Sequence, residues 1–397
     1  MSSTQPGHID NLSEEQYSIL QKLWLQLLKS LIHDKNLENL QLPTKKLEKQ
    51  SSSISIFKSL SWSSKSLDVK EDITDSKEEM VKNLEFNFAF EILFLYLFGP
   101  DSPDATLLRF LRARKWDIEK TLDMINKALI WRKNFDFKTL LYKGEEILEK
   151  GELESGKGYL YGQDKEKRKC CFIHVRHHVT GKVPQEELEK FSVFIVENGR
   201  LFLNKSVETF TLVFDMNGFS MQCMDYNYVK FLLSCFEAYY PESLGQILVI
   251  DSPWIFNGCW TIIKGWIDPV VASKIKFISS SELKDYVDVQ FIPKLILESA
   301  NINYPNSFTE EEVKKGYEFQ YFGPTEKDLV ELSKKRNETE KEKMIWKEFK
   351  KAALEFMELT NEWSVYESKQ DSKLSKDRLE QYKKLNECYQ NLVPFIK

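Results

Sequence analysis

Residues 246–279 read QILVIDSPWIFNGCWTIIKGWIDPVVASKIKFIS, and this stretch decides the fold. Its two ends, QILVI (246–250) and KIKFIS (274–279), are short apolar runs with the length and composition of strands. The other strand-like runs are YLYG (159–162), CCFIHV (170–175) and FTLVFDM (210–216), and helical segments at 185–204 and 225–240 separate the later ones. Strands that alternate with helices predict an α/β fold with a mixed or parallel sheet covered by helices.

The middle of this stretch, from Trp254 to Ile267, is unusual for a helix. A surface helix carries a single apolar stripe, whereas apolar side chains here point in nearly every direction. Two interpretations follow from the residues alone: a fully buried core helix, or a helix that contacts apolar material on both sides. The three tryptophans, which include Trp260 and Trp266, favour a membrane interface or a lipid.

The sequence before the sheet is predominantly helical. Ser13 and Gln16 form a capping box for a helix predicted over 13–33. Ser102 suits the N-cap of a helical run over 101–134. A further helix is predicted over 78–98, and the Ser- and Lys-rich segment 41–76 reads as a flexible arm.

The sequence after the sheet is helical and highly charged. A single apolar stripe that includes Trp346 and Trp363 predicts a long helix over 325–365, followed by a second helix to about 392. We expect these two helices to pack as a hairpin onto the body. The predicted domains are an N-terminal helix (1–40), a Ser/Lys-rich linker (41–77), a helical domain (78–150), the α/β domain (151–300) and a helical C-terminal extension (301–397).

Composition excludes several classes of protein. The 56 Lys and Arg against 61 Asp and Glu give a net charge of -5, which argues against nucleic-acid binding through bulk charge. No signal-peptide core and no run of about 20 apolar residues is present, so we expect a cytoplasmic protein whose membrane contact is peripheral. The six cysteines lack CxxC spacing and predict no disulfide framework.

No pattern in the chain carries catalytic chemistry. GELESGKG (151–158) matches a phosphate loop poorly, because Gly158 occupies the Ser/Thr position and a charged helical segment precedes the motif. At strand spacing, His174, Arg176 and His178 share one face, and the arginine disfavours a metal. Asp251 is expected to cap a turn and Lys165–Lys169 to form a solvated hairpin turn. With no GxSxG or GxGxxG, we predict a protein that is not an enzyme and has no cofactor or metal.

Three motifs show a resemblance to a known family. LLRFLRARKWD (107–117), FEAYYPESLG (236–245) and WIDPVVASKI (266–275) occur in family order and resemble the CRAL-TRIO family, in particular the yeast phosphatidylinositol transfer proteins. The resemblance runs from about 101 to 298. The N-terminal helix, the Ser/Lys arm and the C-terminal helices look like those of a non-classical fungal branch. The resemblance implies a helical N-terminal domain followed by a lipid-binding α/β domain, in which a sheet forms the floor of a hydrophobic pocket.

The resemblance also implies a mobile gate over this pocket. The gate helix falls on 257–266. This implies that the apolar segment around it is functional: closed, it covers acyl chains, and open, it exposes its apolar face to a bilayer. The gate residues are expected to be Phe256, Trp260, Ile263 and Trp266.

For the lipid headgroup, the resemblance implies three charged residues. They are Glu242 in YPES, Lys274 in ASKI and Arg114 in RARK. Glu242 can accept hydrogen bonds from inositol hydroxyls, Lys274 can donate, and the planar fork of Arg114 suits a phosphodiester. The alternative for Glu242 and Lys274 is a structural ion pair. Where founding members have a Thr that donates to the phosphate, this chain has Val271, so one donor is lost.

The founding members also bind phosphatidylcholine, through two tyrosines and a hydroxyl pair. Thr209 and Thr211 match the hydroxyl pair, whereas the tyrosines fall on Leu160 and Cys171. Neither residue supplies a phenolic donor or an aromatic face for choline. The resemblance therefore predicts poor phosphatidylcholine binding, unless Tyr159 or Tyr161 substitutes.

The expected function is to carry one phosphatidylinositol molecule between membranes, in support of phosphoinositide signalling and membrane trafficking. The expected partners are phosphatidylinositol, a transiently bound surface of microsomes or endosomes, and a phosphatidylinositol kinase. Single-lipid exchange needs only a monomer, and no nucleic acid is expected. Three alternatives stay open: a carrier or sensor of a sterol, fatty acid or squalene, a protein-interaction scaffold, and a lipid hydrolase.

Overall fold

A computed structural model describes residues 6–33, 90–203, 207–301, 340–366, 369–370 and 372–396. The expected linker 41–77 and most of the helix predicted over 78–98 lie outside these residues, as does the first part of the helix predicted over 325–365. The fold below is that of the described part of the chain.

The α/β domain is built on one five-stranded mixed sheet, as predicted. The strands are β1 (Gly158–Gln163), β2 (Lys169–His174), β3 (Phe210–Asp215), β4 (Leu244–Ile250) and β5 (Ile275–Ile278), and they lie side by side in chain order. β1 pairs with β2 antiparallel, while the remaining pairs are parallel. The parallel strands therefore share an amino edge and a carboxyl edge, which position the groups described below.

Helices precede the sheet, connect its strands and follow it in the chain. In chain order they are α1 (Glu14–His33), α2 (Glu91–Phe98, with π-helical bonding), α3 (Pro103–Ala113), α4 (Ile118–Asn134), α5 (Phe137–Lys143), α6 (Lys150–Glu154), α7 (Gln185–Arg200), α8 (Tyr226–Ser234), α9 (Phe256–Lys264), α10 (Pro269–Ala272), α11 (Lys294–Ser299), α12 (Glu340–Val365) and α13 (Lys373–Ile396). The helix predicted over 225–240 is shorter than expected, because α8 ends at Ser234 and a π-helical turn, Cys235–Tyr239, follows it.

The predicted helix caps are present. The Ser13 backbone N–H donates to Gln16 Oε1 at 3.0 Å, and the Gln16 N–H donates to Ser13 Oγ at 3.1 Å, which is the capping box. Ser102 Oγ accepts from the Ala105 N–H at the start of α3, where Pro103 occupies the first turn. These local interactions fix where α1 and α3 begin.

The N-terminal helix and the C-terminal hairpin share one core. α12 and α13 pack together as the predicted hairpin, and α1 packs on α12. The Trp24 ring is fully buried and lies 5.4 Å from the Phe98 ring and 6.0 Å from the Phe356 ring. Trp24 Nε1 also donates to Asp104 Oδ1 at 2.7 Å. Segments from the two ends of the chain therefore stabilise α2 and α3 jointly.

The two faces of the sheet are covered differently. One face packs against the segment 280–297 in a closely packed apolar cluster. On this face lie alternate residues of the strands, among them Phe172 and Val213. The other face, which carries Cys171, Leu212 and Phe214, looks toward α7, α8 and α9. Among the described residues, this second face borders an extended cavity.

One local expectation is wrong. The alternation across HVRHH does not continue, because β2 ends at His174 and Val175–His177 form a 3-10 turn. His174 and Arg176 still converge, since both donate to Asp215 at the end of β3. His178 instead points into the cavity.

Candidate functional site

The described part of the chain contains one large apolar cavity. It has a volume of about 240 Å³ and lies between the sheet and α7, α8 and α9. Its walls are nearly all apolar, with Leu212 and Phe214 on the floor and Phe236 beside α8. An apolar wall that no other atoms contact loses van der Waals attraction, so leaving such a cavity empty is unfavourable. A cavity of this kind is suited to an apolar ligand.

The predicted gate helix forms one wall of the cavity. Phe256, Trp260 and Ile263 of α9 follow each other at helical spacing and line the cavity. Trp266 does not line it: α9 ends at Lys264, and the Trp266 ring packs on Tyr226 of α8 at 5.7 Å. Trp266 is therefore not a residue of the gate helix, which corrects the prediction. α9 ends at Lys264, and Gly265 and Trp266 follow it in a turn.

The outer side of α9 faces solvent, and exposed apolar residues lie on it and on the segments next to it. Ile262 is 48% exposed, and Trp254, just before the helix, is 82% exposed. Val270 and Phe277 nearby are exposed as well, and the Phe277 ring contacts Trp260 at 5.0 Å. The interpretation of this segment as a fully buried core helix is therefore wrong. α9 separates the cavity from the solvent. We refer to the exposed apolar residues on α9 and next to it as the gate surface: Trp254, Ile255, Ile262, Val270 and Phe277.

Two of the predicted headgroup residues flank the amino edge of β4. Lys274 Nζ donates to the Leu244 carbonyl at 2.7 Å, and Glu242 lies two residues before Leu244. Leu244 and Val271 both line the cavity, so this edge forms its amino-side rim. The expected alternative, an ion pair between Glu242 and Lys274, is not formed: no contact of that kind joins these two described residues.

Glu242 has a constrained backbone. Its φ of 54° lies in the left-handed region, where a residue with a Cβ is uncommon. The turn is held by its neighbours, since Ser243 is buried and donates to the Tyr240 carbonyl. A strained conformation at a half-buried carboxylate is the kind of outlier that occurs at ligand sites.

Arg114 sits at the C-cap of α3, where its guanidinium donates to the Ala113 carbonyl. Its neighbour Arg112 forms a buried ion pair with Glu208 at 2.8 Å. Burial lowers the pKa of Arg112, while the charges of Glu208 and Glu242 act in the opposite direction. Glu242 therefore lies within electrostatic reach of the end of α3, although it makes no direct contact with Arg114.

The hydroxyl pair expected for a second ligand does not face the cavity. Thr211 is fully buried and donates to Asp164 Oδ2 on the opposite face of the sheet. The reason is strand alternation: its neighbour Leu212 lines the cavity, so Thr211 must point away. Thr209 packs against the backbone of Gly245 and does not line the cavity either. Both assignments are corrected.

Leu160 and Cys171 do lie on the cavity side of the sheet. They are direct partners across β1 and β2, and both belong to the apolar cluster beneath the cavity. Tyr159 and Tyr161 pack on the opposite face, where the Tyr159 hydroxyl lies 2.9 Å from His174 Nε2. The alternative in which Tyr159 or Tyr161 takes the place of the missing tyrosines is therefore not supported, again because side chains alternate along β1.

A buried aspartate holds the β1–β2 turn, which sequence reasoning missed. Asp164 is 2% exposed, and its carboxylate accepts from Arg168, Thr211 and Gln246. The hairpin turn itself was predicted, but it was expected to be solvated throughout. Two of these partners, Thr211 and Gln246, come from β3 and β4, which are distant in the sequence, so no local pattern predicts their contact with Asp164.

The remaining predicted features have structural roles. Asp251 has a φ of 51°, and its side chain accepts from the Ser280 N–H at the start of a 3-10 helix whose N-cap is Ser279, so it bonds a distant segment and not its own turn. All six cysteines are free in the structure. None of the described helices combines the length and the hydrophobicity that a membrane span requires, and the described residues hold no group of three or more His, Cys, Asp or Glu side chains placed to bind a metal ion.

Comparison with known protein families identifies two matching models. Residues 153–296 match the model described as the CRAL/TRIO domain. Residues 64–127 match the model described as the CRAL/TRIO N-terminal domain. The first match contains the sheet, the cavity and α9.

Three fungal relatives are similar over longer stretches. A CRAL-TRIO domain-containing protein of Schizosaccharomyces pombe is 44% identical over 49% of this chain and 45% of its own length. Phosphatidylinositol transfer protein CSR1 of Eremothecium gossypii is 35% identical over 75% of this chain and 66% of its length. A second S. pombe CRAL-TRIO domain-containing protein is 32% identical over 66% of this chain and 71% of its length. The chain thus spans less than two thirds of the first two relatives.

Proposed function

We propose, because this chain belongs to the CRAL-TRIO family, that it is a lipid transfer protein whose cavity carries one phospholipid, phosphatidylinositol, between membranes. The observation that carries the proposal is the apolar cavity of about 240 Å³ with α9 as one wall. Each CH₂ group of an acyl chain gains about 0.8 kcal/mol when it leaves water, which makes such a cavity a favourable site for lipid chains.

The apolar inner side of α9 and the exposed apolar residues next to the helix support a gating role. Its inner residues, such as Ile263, cover the cavity, and its outer neighbours, such as Trp254, are exposed to solvent. Exposed tryptophan is favourable at a membrane interface, where its ring sits among the lipid headgroups. We propose that α9 swings toward the bilayer when the gate surface contacts it, and that lipid enters and leaves through the opening.

The charged residues at the amino-side rim support phosphatidylinositol as the lipid. Glu242 lies two residues before cavity-lining Leu244, Lys274 donates to the Leu244 carbonyl, and no ion pair joins these two described residues. An inositol ring needs both donors and acceptors, which these two side chains supply. Phosphatidylinositol transfer protein CSR1 of Eremothecium gossypii is 35% identical to this chain over the aligned residues. That Arg114 joins this site stays a prediction, as do a kinase partner, the monomeric state and the domain boundaries.

The test is transfer of labelled phosphatidylinositol and phosphatidylcholine between vesicles. We expect wild type to transfer phosphatidylinositol, and we expect Lys274→Ala to reduce that transfer at least tenfold because it removes a headgroup donor. Phosphatidylcholine transfer should be low in both, since Leu160 and Cys171 offer no partner for its headgroup.

Lys284→Ala is the matched control. Lys284 is exposed in the 3-10 helix on the far face of the sheet, so its removal should leave transfer unchanged. Equal transfer of both lipids would contradict the predicted selectivity. If folded wild type transferred neither lipid, the proposal of a phospholipid carrier would fail.

A further inference from the structure

Residues 216–226 contact α9 from one side, and we refer to them as the support segment. The Phe219 ring packs on the Phe256 ring with the centroids 5.3 Å apart. One helical turn further along α9, Cys259 Sγ donates to Met221 Sδ at 3.9 Å. Phe256 and Cys259 are three residues apart, so they lie on the same face of the helix. The support segment therefore meets α9 along one face, through an aromatic pair and a sulfur pair.

The support segment is itself fixed to the body of the domain. The Asn217 N–H donates to the Asp215 carboxylate at the end of β3, and the Thr180 N–H donates to the Gln222 carbonyl at 2.8 Å. Within the described part of the chain, no helix or strand packs closely along α9, because its inner side borders the cavity and its outer side faces solvent. Side-chain contacts with the support segment are therefore a main attachment of α9 in the closed position.

Met221 is the accessible member of the sulfur pair. Among the methionines that the structure describes, the exposed ones are Met221, at 52%, and Met344, at 56%. Met216, in the same segment as Met221, is buried, and so is Cys259. An oxidant dissolved in water therefore reaches the Met221 side chain, whereas its partner on α9 is shielded.

The contact depends on the apolar character of the Met221 thioether. A thioether is soft and apolar and accepts hydrogen bonds weakly, whereas its sulfoxide is polar and chiral. A sulfoxide oxygen between Met221 Sδ and Cys259 Sγ would force the two sulfur atoms apart. An oxygen turned to the solvent would draw the side chain toward water and away from α9. In both orientations, oxidation weakens the attachment of α9 to the support segment.

We propose that Met221 is an oxidation site, at which hydrogen peroxide forms the sulfoxide and so loosens α9 from the support segment. The thioether sulfur forms an S–O bond while the O–O bond of the peroxide breaks; sulfur loses two electrons and the peroxide leaves as water. Methionine sulfoxide reductases reverse the step, one enzyme for each epimer. The inference rests on the proposed function in treating α9 as a gate, and it adds control of that gate by oxidants.

The test is hydrogen exchange of α9 in the full chain before and after treatment with hydrogen peroxide. Peptide mass spectrometry quantifies the sulfoxide at Met221 and follows amide exchange over residues 254–267. We expect exchange in this stretch to become at least threefold faster once Met221 is oxidised. Treatment with the two reductases should restore the original rate.

Three variants show whether Met221 is the target. Met221→Leu keeps an apolar side chain of similar volume without a sulfur, so it should fold normally and its exchange should not respond to peroxide. Met221→Gln places a polar group at the contact and should show the faster exchange without any oxidant. Met344→Leu is the matched control, because Met344 is equally exposed but lies on α12, and this variant should keep the full wild-type response. Melting curves verify that all three variants are folded.

The outcomes separate this inference from the proposed function. A response to peroxide that persisted in Met221→Leu would mean that another group, such as the Cys259 thiol, is the target, and the inference would be wrong. Phosphatidylinositol transfer is measured on the same samples. Transfer by wild type whose α9 exchange ignores oxidation of Met221 would overturn the inference alone. Faster exchange on oxidation of a protein that transfers no phospholipid would overturn the proposed function and leave the oxidation site standing.

Discussion

At the scale of single residues, Asp215 shows how burial and hydrogen bonding compete. Its carboxylate is 2% exposed and accepts from His174 Nδ1 at 2.8 Å and from Arg176 at 2.6 Å. Burial acts to raise the pKa of Asp215, but the bonds from His174 and Arg176 outweigh it and hold the pKa below its ordinary value. A carboxyl group with a depressed pKa stabilises the fold when ionised, and that contribution is lost as the pH falls through the folded-state pKa.

We therefore predict that Asp215→Asn lowers the free energy of unfolding by about 3 kcal/mol at pH 7, because it leaves buried donors without an anionic partner. The difference from wild type should shrink below about pH 4, near the ordinary pKa of an aspartate. Urea unfolding between pH 7 and pH 3 measures it. Asp123→Asn, on the exposed side of α4, should change little at any pH. A difference that did not vary with pH would show that the ion pairs contribute nothing.

The sequence alone predicts the role of a residue when the interactions of that residue are local. The capping box of Ser13 and Gln16 was predictable, because both bonds form within one turn. The orientation of Thr211 was not, since it depends on which face of the sheet borders the cavity. His178 was assigned to a continuing strand, and only the early end of β2 turns it into the cavity. Local patterns locate a strand, but distant elements decide what each of its faces touches.

At the scale of elements, α9 combines an inner wall with an outer contact surface. We predict that Trp254→Ala lowers vesicle-to-vesicle transfer about tenfold, which corresponds to ~1.4 kcal/mol of lost membrane affinity. The melting temperature should stay unchanged, because the Trp254 side chain is 82% exposed and contributes little to packing. Vesicle flotation and the transfer assay measure the two effects.

The control for this prediction is Tyr366→Ala. Tyr366 follows α12 and is 74% exposed, so it is an equally accessible aromatic residue outside the gate surface. Its removal should leave transfer unaffected. Equal losses in both variants would mean that exposed aromatic residues act without regard to position, and the assignment of the gate surface would fail.

At the scale of the whole molecule, Arg378 links the C-terminal hairpin to the rest of the helical core. Its guanidinium forms two hydrogen bonds to the Asp104 carboxylate, each 2.6 Å long, and lies over the Trp363 ring at 4.3 Å. We predict that Arg378→Met lowers the free energy of unfolding by about 3 kcal/mol, because the half-buried Asp104 loses its cation. Chemical denaturation should show one cooperative transition at a lower midpoint.

Lys384→Met provides the comparison, since Lys384 is 54% exposed and its pair with Glu355 is a surface contact. Its effect should be small. If Arg378→Met instead produced two separate transitions, the hairpin would be an independently folding unit, and the shared core would not couple it to α1 and α3.

The shared core of α1, α2 and α12 has a consequence for how the chain matures during synthesis. Trp24 leaves the ribosome long before Phe356 and Trp363, which complete its surroundings. The sheet and α9 are all encoded before residue 301, so they can assemble first. Domains fold as units while translation proceeds from the N-terminus at about 5–20 residues per second. The N-terminal helix can therefore pack on α3 and α4 early, but the part of its apolar face that contacts α12 stays uncovered until the C-terminal hairpin has been synthesised.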